Sequence, residues 1–250
     1  MTRELCTLLD WDTEFFGFRI GRVNVSRLTP EDVPEIIGWC RDQKIRSLYF
    51  LADCGHRETI RLAEKNGFYL VDLQVMFEHV FEKEASCGDI ATCRLALPED
   101  LPGLKAIART AYQNTRFYYD DHFPEALCSR LYEVWIENSV AGYADAVLVM
   151  GAPGTPEGYI SCHVNKAEKR GKIGLVGVSE EARGHGVGKA LLLSALNWFR
   201  AQGMESVQVV TQGRNLSAQR LYQRCGFMTG GLKLWYHQCF AAQILEDKDA

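Results

Sequence analysis

The chain has 250 residues, 47% of them hydrophobic and 24% charged, which is the make-up of an ordinary globular protein able to bury a core without metals or disulfides. A formal net charge of -4 with no dense basic run argues against a nucleic-acid partner held by phosphate neutralisation. No segment approaches the roughly 18 apolar residues of a membrane span and no apolar leader follows Met1, so the expectation is a cytoplasmic protein without membrane insertion.

In chain order, an aromatic-rich stretch from Trp11 to Phe18 precedes a predicted helix from Pro30 to Gln43 and a strand from Ser47 to Ala52. A helix from His56 to Lys65 ends at Asn66-Gly67, and a strand runs from Phe68 toward Phe81. Small and polar residues from Glu82 to Asp89 read as a linker, after which Pro98-Glu99-Asp100 opens a helix toward Ala111. Ala146 to Met150 and Gly158 to Val164 read as an antiparallel pair joined through Pro153, Gly154 and Pro156. Lys172 to Ser179 is a strand, Lys189 to Gln202 an amphipathic helix, and Ser206 to Thr211 a strand. Asn215 caps a helix reaching Arg224, Gly231 to Gln238 is the last strand, and Glu246 to Ala250 is a solvated tail. The nine cysteines are scattered, none two residues from another as in a zinc or redox pair, and read as reduced, buried thiols.

One fixed offset superimposes the two halves. Trp39, Arg41, Gln43 and Ser47 fall on Trp198, Arg200, Gln202 and Ser206, and Arg61, Leu62, Gly67, Phe68 and Leu73 fall on Arg220, Leu221, Gly226, Phe227 and Leu232, without a gap. The expected organisation is therefore a smaller, degenerate α/β unit over residues 1–88, a catalytic α/β domain over 89–240 and a tail over 241–250. Only the second half carries the glycine loop.

That loop, Arg183-Gly184-His185-Gly186-Val187-Gly188, lies between a strand and a helix, where backbone N–H groups and the positive end of the helix dipole suit a phosphate, with Arg183 and Lys189 adding positive charge. It lacks the first glycine and the Ser or Thr of a P-loop, and Lys189 stands where a dinucleotide-binding loop has its third glycine. It resembles the (Arg/Gln)-x-x-Gly-x-(Gly/Ala) signature of the GCN5-related N-acetyltransferase (GNAT) superfamily through Arg183, Gly186 and Gly188. The segments Asn215 to Tyr222 and Gly226-Phe227 continue the likeness in the right order.

The resemblance implies a GNAT fold, with a mixed sheet flanked by helices, and acetyl-CoA as co-substrate with no metal. It places the donor on Val176, Gly177, Val178, Arg183, Gly184, His185, Gly186, Val187, Gly188, Lys189, Asn215, Ala218 and Tyr222. It makes Tyr222 the acid that protonates the departing thiolate, and a phenol near pKa 10 is a reasonable partner for a thiol near 8.5. Candidates for a base are His163, Asp120, Asp121, His122 and His237. Trp11-Asp12, Phe15-Phe16-Gly17, Arg116-Phe117, Trp135-Ile136-Glu137-Asn138 and Leu234-Trp235-Tyr236 extend the likeness to dTDP-fucosamine acetyltransferases. The implied acceptor is the 4-amino group of a dTDP-linked amino-deoxy sugar used in surface polysaccharide synthesis, and the implied assembly a homodimer. Arg116, Phe117, Tyr118 and Tyr119 suit such an acceptor, since aromatics stack on a base or sugar and arginine pairs with a diphosphate. Two alternatives stand beside this: an acetyltransferase for a peptide N-terminus or polyamine, and an acetyl-CoA-binding module without turnover.

Overall fold

A computed structural model describes residues 4–82 and 93–240, so most of the expected linker, Cys87 and the tail lie outside the described residues. The described chain forms ten strands and seven α-helices. They are β1 (Cys6–Leu8), α1 (Asp10–Phe16), β2 (Ile20–Val23), α2 (Asp32–Asp42), β3 (Ser47–Asp53), α3 (Arg57–Lys65), β4 (Tyr69–Val80), β5 (Arg94–Leu95), α4 (Leu101–Ala111), α5 (Glu125–Asn138), β6 (Ala146–Ala152), β7 (Thr155–Asn165), β8 (Arg170–Val178), α6 (Val187–Ala201), β9 (Ser206–Gln212), α7 (Leu216–Arg224) and β10 (Met228–Cys239). None of the described helices is long and apolar enough to cross a membrane.

Two compact units form, and they do not follow chain order. The first holds the described residues up to Gln74 together with Arg116–Phe123 and those from Leu232 onward; the second holds Val75–Thr115 and Pro124–Gly231. The division expected from the sequence, by contrast, lies near residue 88, outside the described residues.

In the first unit, β2 runs parallel to β3 and β3 pairs antiparallel with β10, Ser47 opposite Cys239 through Asp53 opposite Lys233. Its core combines Ile36 and Cys40 of α2, Leu48 and Phe50 of β3, Ala63 of α3 and Tyr236 of β10. The second unit orders its strands as β4, β9, β8, β7, β6 and β5. On α6, Val187, Leu191, Leu192, Ala195, Leu196 and Phe199 recur at three- and four-residue spacing and are all buried, so one face of the helix packs against the sheet. Phe199 reaches so far that a Cβ at Gly171 of β8 would lie 2.5 Å from its ring, which explains a glycine in mid-strand.

The sequence repeat is also a structural one. At an offset of 159 residues β3 falls on β9, α3 on α7 and β4 on β10, with identical bounds. The caps agree: the His56 ring accepts the Thr59 N–H as the Asn215 side chain accepts that of Ala218, and Gly67 and Gly226 close their helices at φ 85° and 82°. The final strands are exchanged, since β3 of the first repeat is bordered by β10, and β9 of the second by β4.

Two helices escaped the sequence reading. The Trp11–Phe18 stretch contains α1, whose aromatic residues are weak helix formers, and α5 carries Tyr132 and Trp135 and buries Cys128, Leu131 and Ile136. The glycine-loop helix starts at Val187, two residues before the expected Lys189.

The turn into α4 hangs on a buried carboxylate. Asp100 accepts from Arg94 at 2.6 and 2.8 Å and from the backbone N–H groups of Leu97 and Gly154 at 2.8 and 3.0 Å. The Arg94 guanidinium, opposed by burial, lowers the Asp100 pKa from 3.8 to about 2. A depressed carboxyl contributes stability that is present above its unfolded value and is lost as pH falls through its folded one. Asp100→Asn is therefore expected to cost about 2–3 kcal/mol at neutral pH and to flatten the stability change between roughly pH 4 and 2, measured by urea denaturation across that range.

Candidate functional site

The second unit's site begins where two strands stop pairing. The parallel ladder between β8 and β9 runs from Arg170 opposite Ser206 to Ile173 opposite Val209 and ends there, although β8 continues to Val178 and β9 to Gln212. On its other edge β8 stays paired with β7 as far as Val178 opposite Gly158. The parting coincides with a bulge: Ile160 faces Val176 and Cys162 faces Ile173, so Gly174 and Leu175 share one partner, Ser161. The Ser161 hydroxyl accepts the Leu175 N–H at 2.8 Å, and a Cβ at Gly174 would lie 2.7 Å from His163 Nε2. Gly177 is likewise required, because a Cβ there would lie 2.7 Å from the buried Tyr159 ring, whose hydroxyl bonds that of Tyr112 at 3.1 Å. Among the described residues one edge of Val176 to Val178 is thus left without a neighbouring strand, and its backbone groups need other partners.

The chain then turns through Ser179–Gly186. Gly184 and Gly186 sit at φ 82° and 86°, and the space where their Cβ atoms would be is open. Their first role is conformational, with the open surface as a consequence. Gly188 differs: a Cβ there would lie 3.1 Å from Leu221 of α7, so this glycine lets α7 close on the start of α6. Within α6 the Ala190 N–H donates to Gly186 O at 3.0 Å, leaving the N–H groups of Val187, Gly188 and Lys189 ahead of the helical ladder. Arg183 and His185 are exposed, Arg183 lying 3.6 Å from Glu180, and Lys189 is exposed beside them.

Asn215, Ala218 and Tyr222 recur along α7 at spacings of three and four and share a face. The Asn215 oxygen caps the helix at Ala218 N–H, 3.2 Å away, and also accepts the Ser217 hydroxyl at 3.0 Å. The Tyr222 ring is buried against Phe77 and Phe227, in the cluster that also includes Val176, Val178, Ala218 and Leu221. Its hydroxyl makes no hydrogen bond among the described residues, and it is not one of the buried polar atoms sealed without a partner. Burial pushes the phenol above its ordinary value. The group is therefore protonated throughout the physiological range, as a proton donor must be, but it is a weaker acid than a free phenol.

The remaining candidates divide between the units. His163 lies on β7 of the second, with its pKa lowered first by burial and then by Lys172. Arg116 to Tyr119 and Asp120 to His122 belong to the first. There Phe117 is 1% exposed, packed on Phe16, Tyr49 and Phe123, so it is a core residue and not a platform for a ligand. Arg116 places its guanidinium over the rings of Phe117 and Trp235 at 4.2 and 4.3 Å, while Tyr119 is exposed and Tyr118 half-buried. Asp120 is buried and accepts from Tyr69 hydroxyl at 3.0 Å, His237 Nδ1 at 2.6 Å and His122 Nδ1 at 2.8 Å. Burial lowers the His237 pKa to about 4, outweighing Asp120, so this histidine is neutral. Asp121 is exposed.

Residues 104–227, which contain the parted strands, the loop and Tyr222, match the family model described as Acetyltransferase (GNAT) family. The chain carries a GNAT domain. Its activity class is N-acetyl transfer, and its mixed α/β architecture is the GNAT fold. A dTDP-fucosamine acetyltransferase from Escherichia coli O6:H1 is 27% identical over 92% of the chain and 96% of its own length. A mycothiol acetyltransferase from Pseudarthrobacter chlorophenolicus is 30% identical over 56% of the chain, which spans about half (46%) of that protein. Among solved structures, a GCN5-related N-acetyltransferase from Sphaerobacter thermophilus superimposes with a TM-score of 0.67 at 16% identity, over 94% of this chain and 76% of the other.

The sequence reading had no sign of the Ser161 bulge or the Tyr112–Tyr159 pair, although three glycines spaced by three in β8 mark a strand with unusual neighbours. The loop's geometry gives a direct test. Gly186→Ala places a Cβ at φ 86° with no steric neighbour, so it is expected to lose about 1 kcal/mol in thermal or urea unfolding from backbone strain alone, whereas Gly188→Val, against Leu221, is expected to lose more.

Proposed function

We propose that this GNAT domain transfers acetyl from acetyl-CoA to the 4-amino group of a dTDP-linked amino-deoxy sugar. The observation that carries the donor side is the parting of β8 from β9 immediately before a helix N-terminus with three unengaged N–H groups. Val187, Gly188 and Lys189, with Gly184 and Gly186 opening the approach, are assigned to the diphosphate. The free edge of Val176 to Val178 is assigned to the pantetheine arm and to polarising the acetyl carbonyl, as backbone donors directed at a developing oxyanion do. The second amide position of Asn215, whose oxygen is committed to the cap, supplies a further donor.

The reaction forms an N–C bond and breaks the C–S bond; one proton leaves the amine for solvent water and one is delivered to the departing sulfur. Tyr222 is assigned the second transfer. Its hydroxyl is protonated and has no protein partner among the described residues to compete for the proton.

The acceptor rests on the extent of the likeness. The dTDP-fucosamine acetyltransferase match covers nearly all of both chains, whereas the mycothiol acetyltransferase match covers less than half of that protein. A likeness shared over nearly the full length of both chains is the better guide to an acceptor than one that covers little more than half of this chain. Arg116, ringed by aromatic faces, remains the residue assigned to an anionic acceptor.

Acetyl-CoA-dependent thiol release with dTDP- and UDP-linked amino sugars tests both parts. Tyr222→Phe is expected to lower kcat by about 10²–10⁴ while the KM for acetyl-CoA changes only a few-fold. Turnover with peptide amines or polyamines and none with nucleotide sugars would refute the acceptor, and an unchanged kcat in Tyr222→Phe would refute the acid.

A further inference from the structure

Two segments that are remote in sequence, Asp120–His122 and the end of β10, bring a carboxylate, an imidazole and a thiol together in the first unit. The ligating atoms of Asp120, His122 and Cys239 all lie within 4.8 Å of one another. Asp120 is buried, Cys239 half-buried and His122 exposed, so the cluster is open to solvent along the histidine. The Asp120 carboxylate is fixed from behind: Oδ2 accepts His237 Nδ1 at 2.6 Å and the Tyr69 hydroxyl at 3.0 Å, while Oδ1 faces His122 Nδ1 at 2.8 Å. The Tyr69 oxygen also stands 3.0 Å from Cys239 Sγ and 3.3 Å from His122 Nδ1, against all three groups.

We infer that Asp120, His122 and Cys239 form a binding site for a zinc-class divalent cation. One sulfur, one imidazole nitrogen and one carboxylate oxygen are the donors that favour zinc over magnesium or calcium, which prefer oxygen alone. A tetrahedral site with bonds of about 2.0–2.3 Å holds its ligand atoms roughly 3.3–3.8 Å apart, so the His122 to Asp120 hydrogen bond opens by about half an ångström on binding. The exposed His122 side chain is the one free to make that adjustment. His237 supplies the outer support that ligating carboxylates characteristically have. Its Nε2 is buried without a hydrogen-bond partner, so the ring is held toward Asp120 through Nδ1 alone.

The inference departs from the metal-free expectation carried by the family resemblance, and assigns the cation no step in acetyl transfer. With three protein ligands the fourth position is left to water, and the cation joins the Asp120–His122 segment to β10.

Cobalt(II) added to the metal-free full chain is the probe, because thiolate ligation gives an intense sulfur-to-cobalt charge-transfer band and tetrahedral geometry gives strong visible d–d bands. One cobalt per chain with both signatures is expected, displaced by zinc. His122→Ala, at an exposed side chain, is expected to weaken binding at least about tenfold. Cys239→Ser is expected to remove the charge-transfer band, and Cys54→Ser, at the exposed thiol, to leave it unchanged. Absence of both bands, their persistence in Cys239→Ser, or their loss in Cys54→Ser would overturn the inference.

Discussion

Backbone hydrogen-bond obligation governs the donor side of this protein. A strand inside a sheet has both edges engaged, and β8 meets that rule only as far as Ile173, beyond which β9 no longer pairs with it. The bulge at Gly174–Leu175 turns the strand, Ser161 takes up the displaced N–H, and the glycine-bounded turn delivers the chain into α6 with its first N–H groups unengaged. The same few residues thereby create an unpaired strand edge and a helix N-terminus. Both are sets of fixed donors, available without reorganisation to a diphosphate, an amide-rich arm and a polarised carbonyl.

The repeat explains why the chain's compact units ignore its order. Each repeat ends in a long strand, β4 or β10, and each borders the penultimate strand of the other repeat. Residues 232–239 therefore belong with the first unit although they close the second repeat, and residues 75–80 belong with the second although they close the first. The repeats differ at the position assigned to the acid and keep a backbone turn where the residue has changed. Ala63 occupies the position of Tyr222, and Lys44, at φ 51°, occupies that of Gly203, at φ 78°, so a left-handed turn is kept where the side chain differs.

Much of this was legible because it is local or periodic. The ungapped spacing of Arg61, Gly67 and Phe68 against Arg220, Gly226 and Phe227 located equivalent helices and strands, and the strand-glycine-helix order located the loop. Other features depend on contacts that no spacing encodes. Phe117, by residue type a candidate to stack on a base or sugar, is drawn into the core by the aromatic residues around it. Cys239 meets Asp120 and His122 only through the fold, so a search for closely spaced cysteines passes over the cluster. Gly188, grouped in sequence with Gly184 and Gly186, answers to packing on Leu221 where the other two answer to φ.

Amide hydrogen exchange with and without saturating acetyl-CoA tests most directly whether the unpaired strand edge and the start of α6 hold the donor. The account predicts slower exchange at Val187, Gly188 and Lys189 and within Val176 to Val178, with little change in β3, whose edges are paired on both sides. Saturable acetyl-CoA binding that left those amides unprotected would contradict it.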